Sequence, residues 1–165
     1  MPRFFLTCLL FAYTASLQII AQNYPKNYFS SPLEIPLFLS GNFGELRSNH
    51  FHAGLDIKTQ GVEGQKVLAV ADGYVSRIRV SPYGYGKAIY VTHPNGYTSV
   101  YAHLKKYSDK INQSVEAYQY TKESFAVQIF PSQNEIQVKK GELIAYSGNS
   151  GGSGGPHLHF EIRES

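Results

Sequence analysis

After Ser40 the chain alternates apolar and polar residues over short runs broken by turn residues, the two-residue period of strands that bury one face. Phe51, Ala53, Leu55 and Ile57 alternate with His52, Gly54, Asp56 and Lys58. Near the end, Leu158, Phe160 and Ile162 alternate with His157, His159 and Glu161. Residues 66–71, an Asp72-Gly73 turn and residues 74–80 predict a hairpin. Residues 87–93, a Pro94-Asn95-Gly96 turn and residues 97–103 predict a second, and residues 137–146 add further strand. One stretch breaks the period. Ile111, Val115 and Tyr118 recur at helical spacing behind Ser108, which predicts a short helix within residues 108–124 and then a strand over 125–130. The 13 tyrosines and 10 phenylalanines, set among β-branched residues, suit sheets with side chains packed on both faces. The expected fold class is mostly β: an antiparallel sandwich or partly open barrel with one short inserted helix.

The first 40 residues read differently. Residues 1–21 carry Arg3 and then an apolar run with few polar interruptions, the pattern of a secretory signal peptide cut after Ala21. The run is shorter and more polar than the about 20 apolar residues a span prefers, so membrane contact is expected only through this leader during export. An uncleaved anchor is the alternative. Residues 22–40, rich in Asn, Tyr, Pro and Ser, predict an extended lead-in, and residues 41–165 a single domain. Cys8 is the only cysteine and falls in the leader, so no disulfide can support the exported chain. Stability must then come from the β core and from whatever metal binding adds. A net charge of +3 fits an anionic substrate without demanding one. It is weak support for nucleic acid, which is not expected as a partner.

The polar positions carry the chemistry. His157 and His159 emerge on one side of a strand, about 7 Å apart along the backbone, which suits one metal ligand beside one acid/base group. A straight strand would hold His52 and Asp56 about 13 Å apart at their Cα atoms, but Gly54 between them permits a bend. Two imidazoles and a carboxylate leaving one open position make a common ligand set for catalytic zinc. The set expected here is His52, Asp56 and His159. The alternative is that these residues only form surface hydrogen bonds.

In this order, His52-x-Gly54-x-Asp56, Tyr101-x-His103 and Gly155-Pro156-His157-Leu158-His159-Phe160-Glu161 resemble the lysostaphin/LytM-type zinc metallo-endopeptidases, which cut peptidoglycan peptides. The likeness runs over roughly residues 40–163 and takes in residues 67–75, Gly84-Tyr85-Gly86, Lys140-Gly141-Glu142 and Ser147-Gly148. It implies the LytM duplicated hybrid-motif fold and one zinc ion on His52, Asp56 and His159. It also implies His103 and His157 as the further active-site histidines, and a peptidoglycan peptide as substrate. No His-Glu-x-x-His occurs, so His103 and His157 are the natural acid/base and oxyanion-stabilising groups. An exported, periplasmic or extracellular location follows from the leader. Two departures stand out. Family members often place a tyrosine shortly before the first metal histidine, where this chain has Phe43, Leu46 and Phe51. The stretch over 108–130 is longer than compact members require, and the chain ends soon after His159, where relatives usually continue.

Weaker expectations attach to other residues. His50 competes with His52 as a ligand, His93 is expected in solvent, and Glu161 either supports a metal-site histidine or forms a surface ion pair. Arg47 and Asn49 precede the first cluster and are candidates to face substrate; Tyr83 and Tyr85 either line a groove or pack. The run Gly148–Pro156 is expected to wall the cleft rather than act as a linker. Two other readings compete: a non-catalytic relative that binds cell wall or activates another hydrolase, and a lipoyl- or biotinyl-type carrier. The carrier needs a modifiable lysine where Asp72-Gly73 stands.

Overall fold

The computed structural model describes residues 26–164; the expected leader over residues 1–21 lies outside them. Along the chain run β1 (Leu39–Gly41), β2 (Leu55–Lys58), β3 (Lys66–Leu68), β4 (Gly73–Val80), β5 (Ala88–Thr92), β6 (Tyr97–Ala102) and β7 (Leu104–Tyr107). The helix α1 (Asp109–Lys122) follows, then β8 (Val127–Ile129), β9 (Gln137–Val138), β10 (Leu143–Ser147) and β11 (His157–Glu164). All pairings are antiparallel. One sheet has the order β1-β2-β11-β6-β5-β4-β8, with β9 also on β4; a smaller one has the order β3-β10-β7. The large sheet is open, ending on β1 and β8. The mostly β, sandwich-like architecture with one helix is the expected one.

The main core lies where the two sheets face each other. Ile57, Val75, Ile78, Ile89, Tyr101 and Leu158 from the large sheet meet Val67, Leu104, Ile144 and Ala145 from the small one. Each valine, leucine or isoleucine fully buried there stabilises the fold by about 1.5–3 kcal/mol. Alternation then sends the next residues outward. Ala88, Tyr90, Val100 and Ala102 form a second apolar cluster on the opposite face, joined by Tyr85. That face carries the candidate site. Register places Asp56 opposite His159 and His159 opposite Ala102, a row across β2, β11 and β6. The small Ala102 leaves room there for an imidazole.

The hairpin of β5 and β6 forms as expected, pairing Ile89 with Tyr101 and Thr92 with Thr98. The expected 66–80 hairpin does not. β3 pairs with β10 and β4 with β5, so the buried residues Ala69, Val70 and Ala71 cross from one sheet to the other. An apolar run of this kind is worth more as an interlayer crossing than as one arm of an exposed ribbon. The helix buries Ile111 and Val115, and Ser108 precedes it without a side-chain cap bond. The lead-in is stitched to the domain: Leu33 is buried and bridges Val67, and the Ser30 amide donates to the Val70 carbonyl at 2.8 Å. Phe51 and Ala53 lie outside the core, because the strand begins only at Leu55. His93, expected in solvent, is 3% exposed. Its Nδ1 lies 2.8 Å from the Asp72 carbonyl and its Nε2 2.8 Å from the Ser99 hydroxyl, so the two crossing segments enclose it.

Candidate metal centre

Gly54 is where the chain bends into β2. A Cβ at this position would come within 2.5 Å of the Phe160 carbonyl oxygen and 2.6 Å of Glu161 Cγ, so only glycine lets the bend rest directly on β11. The bend carries His52 back over Asp56. As a result His52 Nε2, Asp56 Oδ1 and His159 Nδ1 form a triangle with every side 3.0 Å. All three residues are buried.

The other ring nitrogens decide what occupies that triangle. His52 Nδ1 lies 2.8 Å from the Asn42 carbonyl oxygen, to which it donates. His159 Nε2 lies 2.8 Å from Glu161 Oε1 and donates to it. Each ring, when neutral, therefore turns a bare lone pair inward, towards a carboxylate oxygen that also carries only lone pairs. Three converging lone pairs repel unless a cation or a shared proton lies among them. Ligands at about 2.0–2.1 Å around a tetrahedral zinc stand about 3.3 Å apart, close to the observed sides. This donor set fits a zinc ion. Arg47 holds the second Asp56 oxygen, Oδ2, at 2.9 Å, and also pairs with Glu45 at 3.1 Å. Gly41 makes room for that contact, since a Cβ there would collide with both partners.

Two more imidazoles face the same cleft, which measures about 260 Å³ and has Gly152, Ser153 and Gly154 as one wall. His103 donates from Nδ1 to the Ser150 carbonyl at 2.8 Å, and His157 from Nδ1 to the Gly155 carbonyl at 2.8 Å. Both therefore present an unprotonated Nε2 to the cleft when neutral, with ring centroids 4.7 Å apart. His157 Nε2 is 3.4 Å from Asp56 Oδ1. His103 sits between β6 and β7 with φ of 56°, a left-handed conformation uncommon for a residue bearing a side chain. So all five residues that the sequence singled out converge on one cleft.

The comparisons with known proteins agree with this geometry. Residues 50–121 and 128–165 match the model of peptidase family M23. The chain belongs to peptidase family M23. It is 36% identical over 111 residues to an uncharacterized metalloprotease of Haemophilus influenzae, covering 67% of this chain and 18% of that one. It is 32% identical over 118 residues to the DD-carboxypeptidase/endopeptidase Mpg of Neisseria meningitidis serogroup B, covering 72% and 21%. The chain thus spans about a fifth of the length of these relatives. Among solved structures, a zinc containing peptidase from Vibrio cholerae is similar with a TM-score of 0.60 and 26% identity, over 82% of this chain and 36% of that one. The catalytic domain of the antimicrobial peptidase lysostaphin from Staphylococcus simulans gives 0.53 and 26%, over 78% and 79%.

Burial and partners set the charges in this M23 cleft. Burial pushes Asp56 up, but hydrogen bonds from His157 and His159 outweigh it and hold the carboxyl far below the usual carboxylate range. Burial likewise raises Glu161, yet His159, Arg163 and Tyr85 bring it to about 2. His103 is pushed down to about 4, chiefly by burial, so it is neutral at pH 7. Burial also lowers His157, but the Asp56 hydrogen bond and the Gly155 carbonyl give a net rise.

The pattern of strands hid several contributors. Glu161 takes the first of its expected alternatives, a support for His159; it also pairs with Arg163 Nε, but from a buried carboxylate and not at the surface. Tyr85 lines the cleft, donates to Glu161 and packs on His159 at 5.0 Å, whereas Tyr83 is exposed. Ser150 was passed over inside a glycine-rich run. Its hydroxyl accepts from the Lys87 amide at 3.0 Å and donates to the Leu104 carbonyl at 2.8 Å, while its carbonyl orients His103. His50 lies on the cleft rim with Nδ1 2.6 Å from Asn49 and stands outside the triangle. No residue of 108–130 lines the cleft.

Proposed function

We propose that this chain is a zinc-dependent endopeptidase that hydrolyses peptide cross-links or stem peptides of bacterial peptidoglycan, in the cell envelope after export. The observation that carries the reading is the triangle of His52, Asp56 and His159 lone pairs, with two further imidazoles presenting Nε2 to the same cleft. His52, Asp56 and His159 would hold the ion. Bound there, zinc supplies Lewis acidity, drawing the pKa of a coordinated water towards 7 and polarising a carbonyl. Arg47 occupies Asp56 Oδ2, which leaves Oδ1 as the single oxygen offered inward. His103, kept neutral by burial, accepts the water's proton at Nε2. His157, whose protonated form Asp56 favours, donates from Nε2 to the oxyanion or the leaving amine. Tyr85 and Arg163 hold Glu161, and Glu161 holds the His159 ring.

Peptidoglycan is favoured as substrate by its place in the names of relatives. One, 28% identical over 162 residues, is the peptidoglycan DD-endopeptidase ShyA of Vibrio cholerae. The test combines metal analysis of the purified chain with amine release from purified cell wall. About one zinc per chain and new amino groups are expected. Metal without amine release would favour the non-catalytic, wall-binding reading, and neither would end the hydrolase reading.

A further inference from the structure

Asp56 and Lys58 are two residues apart on β2 and so point to the same face of the sheet, about 7 Å apart. Across the strand pair, Lys58 stands opposite His157 as Asp56 stands opposite His159. Lys58 therefore occupies the next row of the sheet from the candidate metal centre. The cleft at that centre shares Asp56, Arg47, Gly154 and His157 with an adjoining hollow that reaches Lys58, Gln60 and Pro156. That hollow shares Lys58 and Gln60 with a third, walled by Pro36, Phe38 and Leu39. The three hollows adjoin one another as a groove, and Lys58 lines the second and the third.

The ammonium of Lys58 is also uncommitted. Every later lysine among the described residues has a carboxylate, a carbonyl oxygen or an aromatic ring at its ammonium. Lys58 has none, although it is exposed beside the groove. The neighbouring cation, Arg47, is already neutralised by Glu45 and Asp56. One positive charge therefore faces the groove without a counter-ion among the described residues.

We infer that Lys58 anchors a carboxylate subsite: the groove takes an extended acidic peptide whose carboxylate lies about two residues from the scissile bond. Two residues of extended substrate span about 7 Å, the separation of Asp56 and Lys58 on their strand. This rests on the peptidase reading above, because it takes the scissile bond to lie at the His52, Asp56 and His159 triangle. A solvent-facing pair of this kind contributes modestly, so the expected selectivity is about twofold to fivefold.

The experiment measures binding and turnover of four labelled peptides with one sequence by the full chain supplied with zinc. One pair carries a side-chain carboxylate or its amide near the scissile bond, and the other a terminal carboxylate or its amide. Wild type is expected to bind one acid about twofold to fivefold more tightly than its amide, and the pair that responds identifies the source of the carboxylate. Lys58→Met should abolish that difference and Lys58→Arg should keep it, with the effect in KM and kcat unchanged where turnover is seen. No acid preference in wild type, or a preference that survives in Lys58→Met, overturns the subsite. A Lys58-dependent preference without any cleavage would uphold the subsite as a binding site and remove the catalytic reading alone.

Discussion

His52 and His159 each give one ring N–H to a fixed oxygen, Asn42 in one case and Glu161 in the other, and this settles what the opposite nitrogen can do. The same device orients His103 and His157 through the carbonyls of Ser150 and Gly155. Four imidazoles in one cleft thus divide into two that converge on Asp56 Oδ1 and two that face the space beside it. The division predicts different failures. His103→Ala should retain zinc while activity falls at least about a hundredfold, the usual scale for an acid/base group. Asp56→Ala should instead lose the metal, and a zinc-replete Asp56→Ala protein would contradict the ligand role. Metal analysis and wall digestion on both variants separate the two outcomes.

At the level of elements, the centre depends on a bend meeting a strand. The alternation in His157–Glu161 was legible because β11 has β2 on one side and β6 on the other, so local pattern and tertiary placement agree. The bend at Gly54 was legible as well, since His52 and Asp56 could share a metal ion only if the chain folded back there. The 66–80 hairpin was misread because an Asp-Gly turn signal reports local geometry, while the pairing of β3 was decided by the distant β10. His93 was misread for a related reason: Ser99 lies in the same hairpin, but the covering Asp72 carbonyl is 21 residues away, and no window around the Pro94-Asn95-Gly96 turn makes it a neighbour. Ser150 left no signal, because its role runs through backbone groups of three other segments. Gly54→Ala tests the bend. Its Cβ would press on the Phe160 carbonyl and on Glu161, so the variant should lose about 1–3 kcal/mol of stability and bind zinc more weakly. Denaturant melts and metal titration would show both, and a wild-type affinity would refute the geometry.

For the whole molecule, acidity is the revealing variable. His93 and His103 are buried with lowered pKa values, so the unfolded chain binds more protons than the folded one once pH drops below the ordinary histidine value of 6.5. Their contribution to stability is full above about 6.5 and is lost as pH falls through their lowered values, about 4 for His103. Glu161 acts in the next window, its contribution present above its ordinary 4.5 and lost as pH falls through about 2. Without zinc, the first loss is offset in part by His157 and His159, whose pKa values are raised, so it is read by comparison with a variant. In that first window a His93→Gln variant should show a shallower decline of the thermal midpoint, and an unchanged slope would count against the buried neutral ring.

The change of sheets at His103 has a mechanical consequence. One residue closes the large layer and opens the small one, and its side chain is an imidazole aimed at the cleft. A slight slide of one layer over the other would swing that ring before any strand came apart. Substitutions far from the cleft, in the interior that separates the layers, would then be expected to alter turnover as well as to lower the melting temperature.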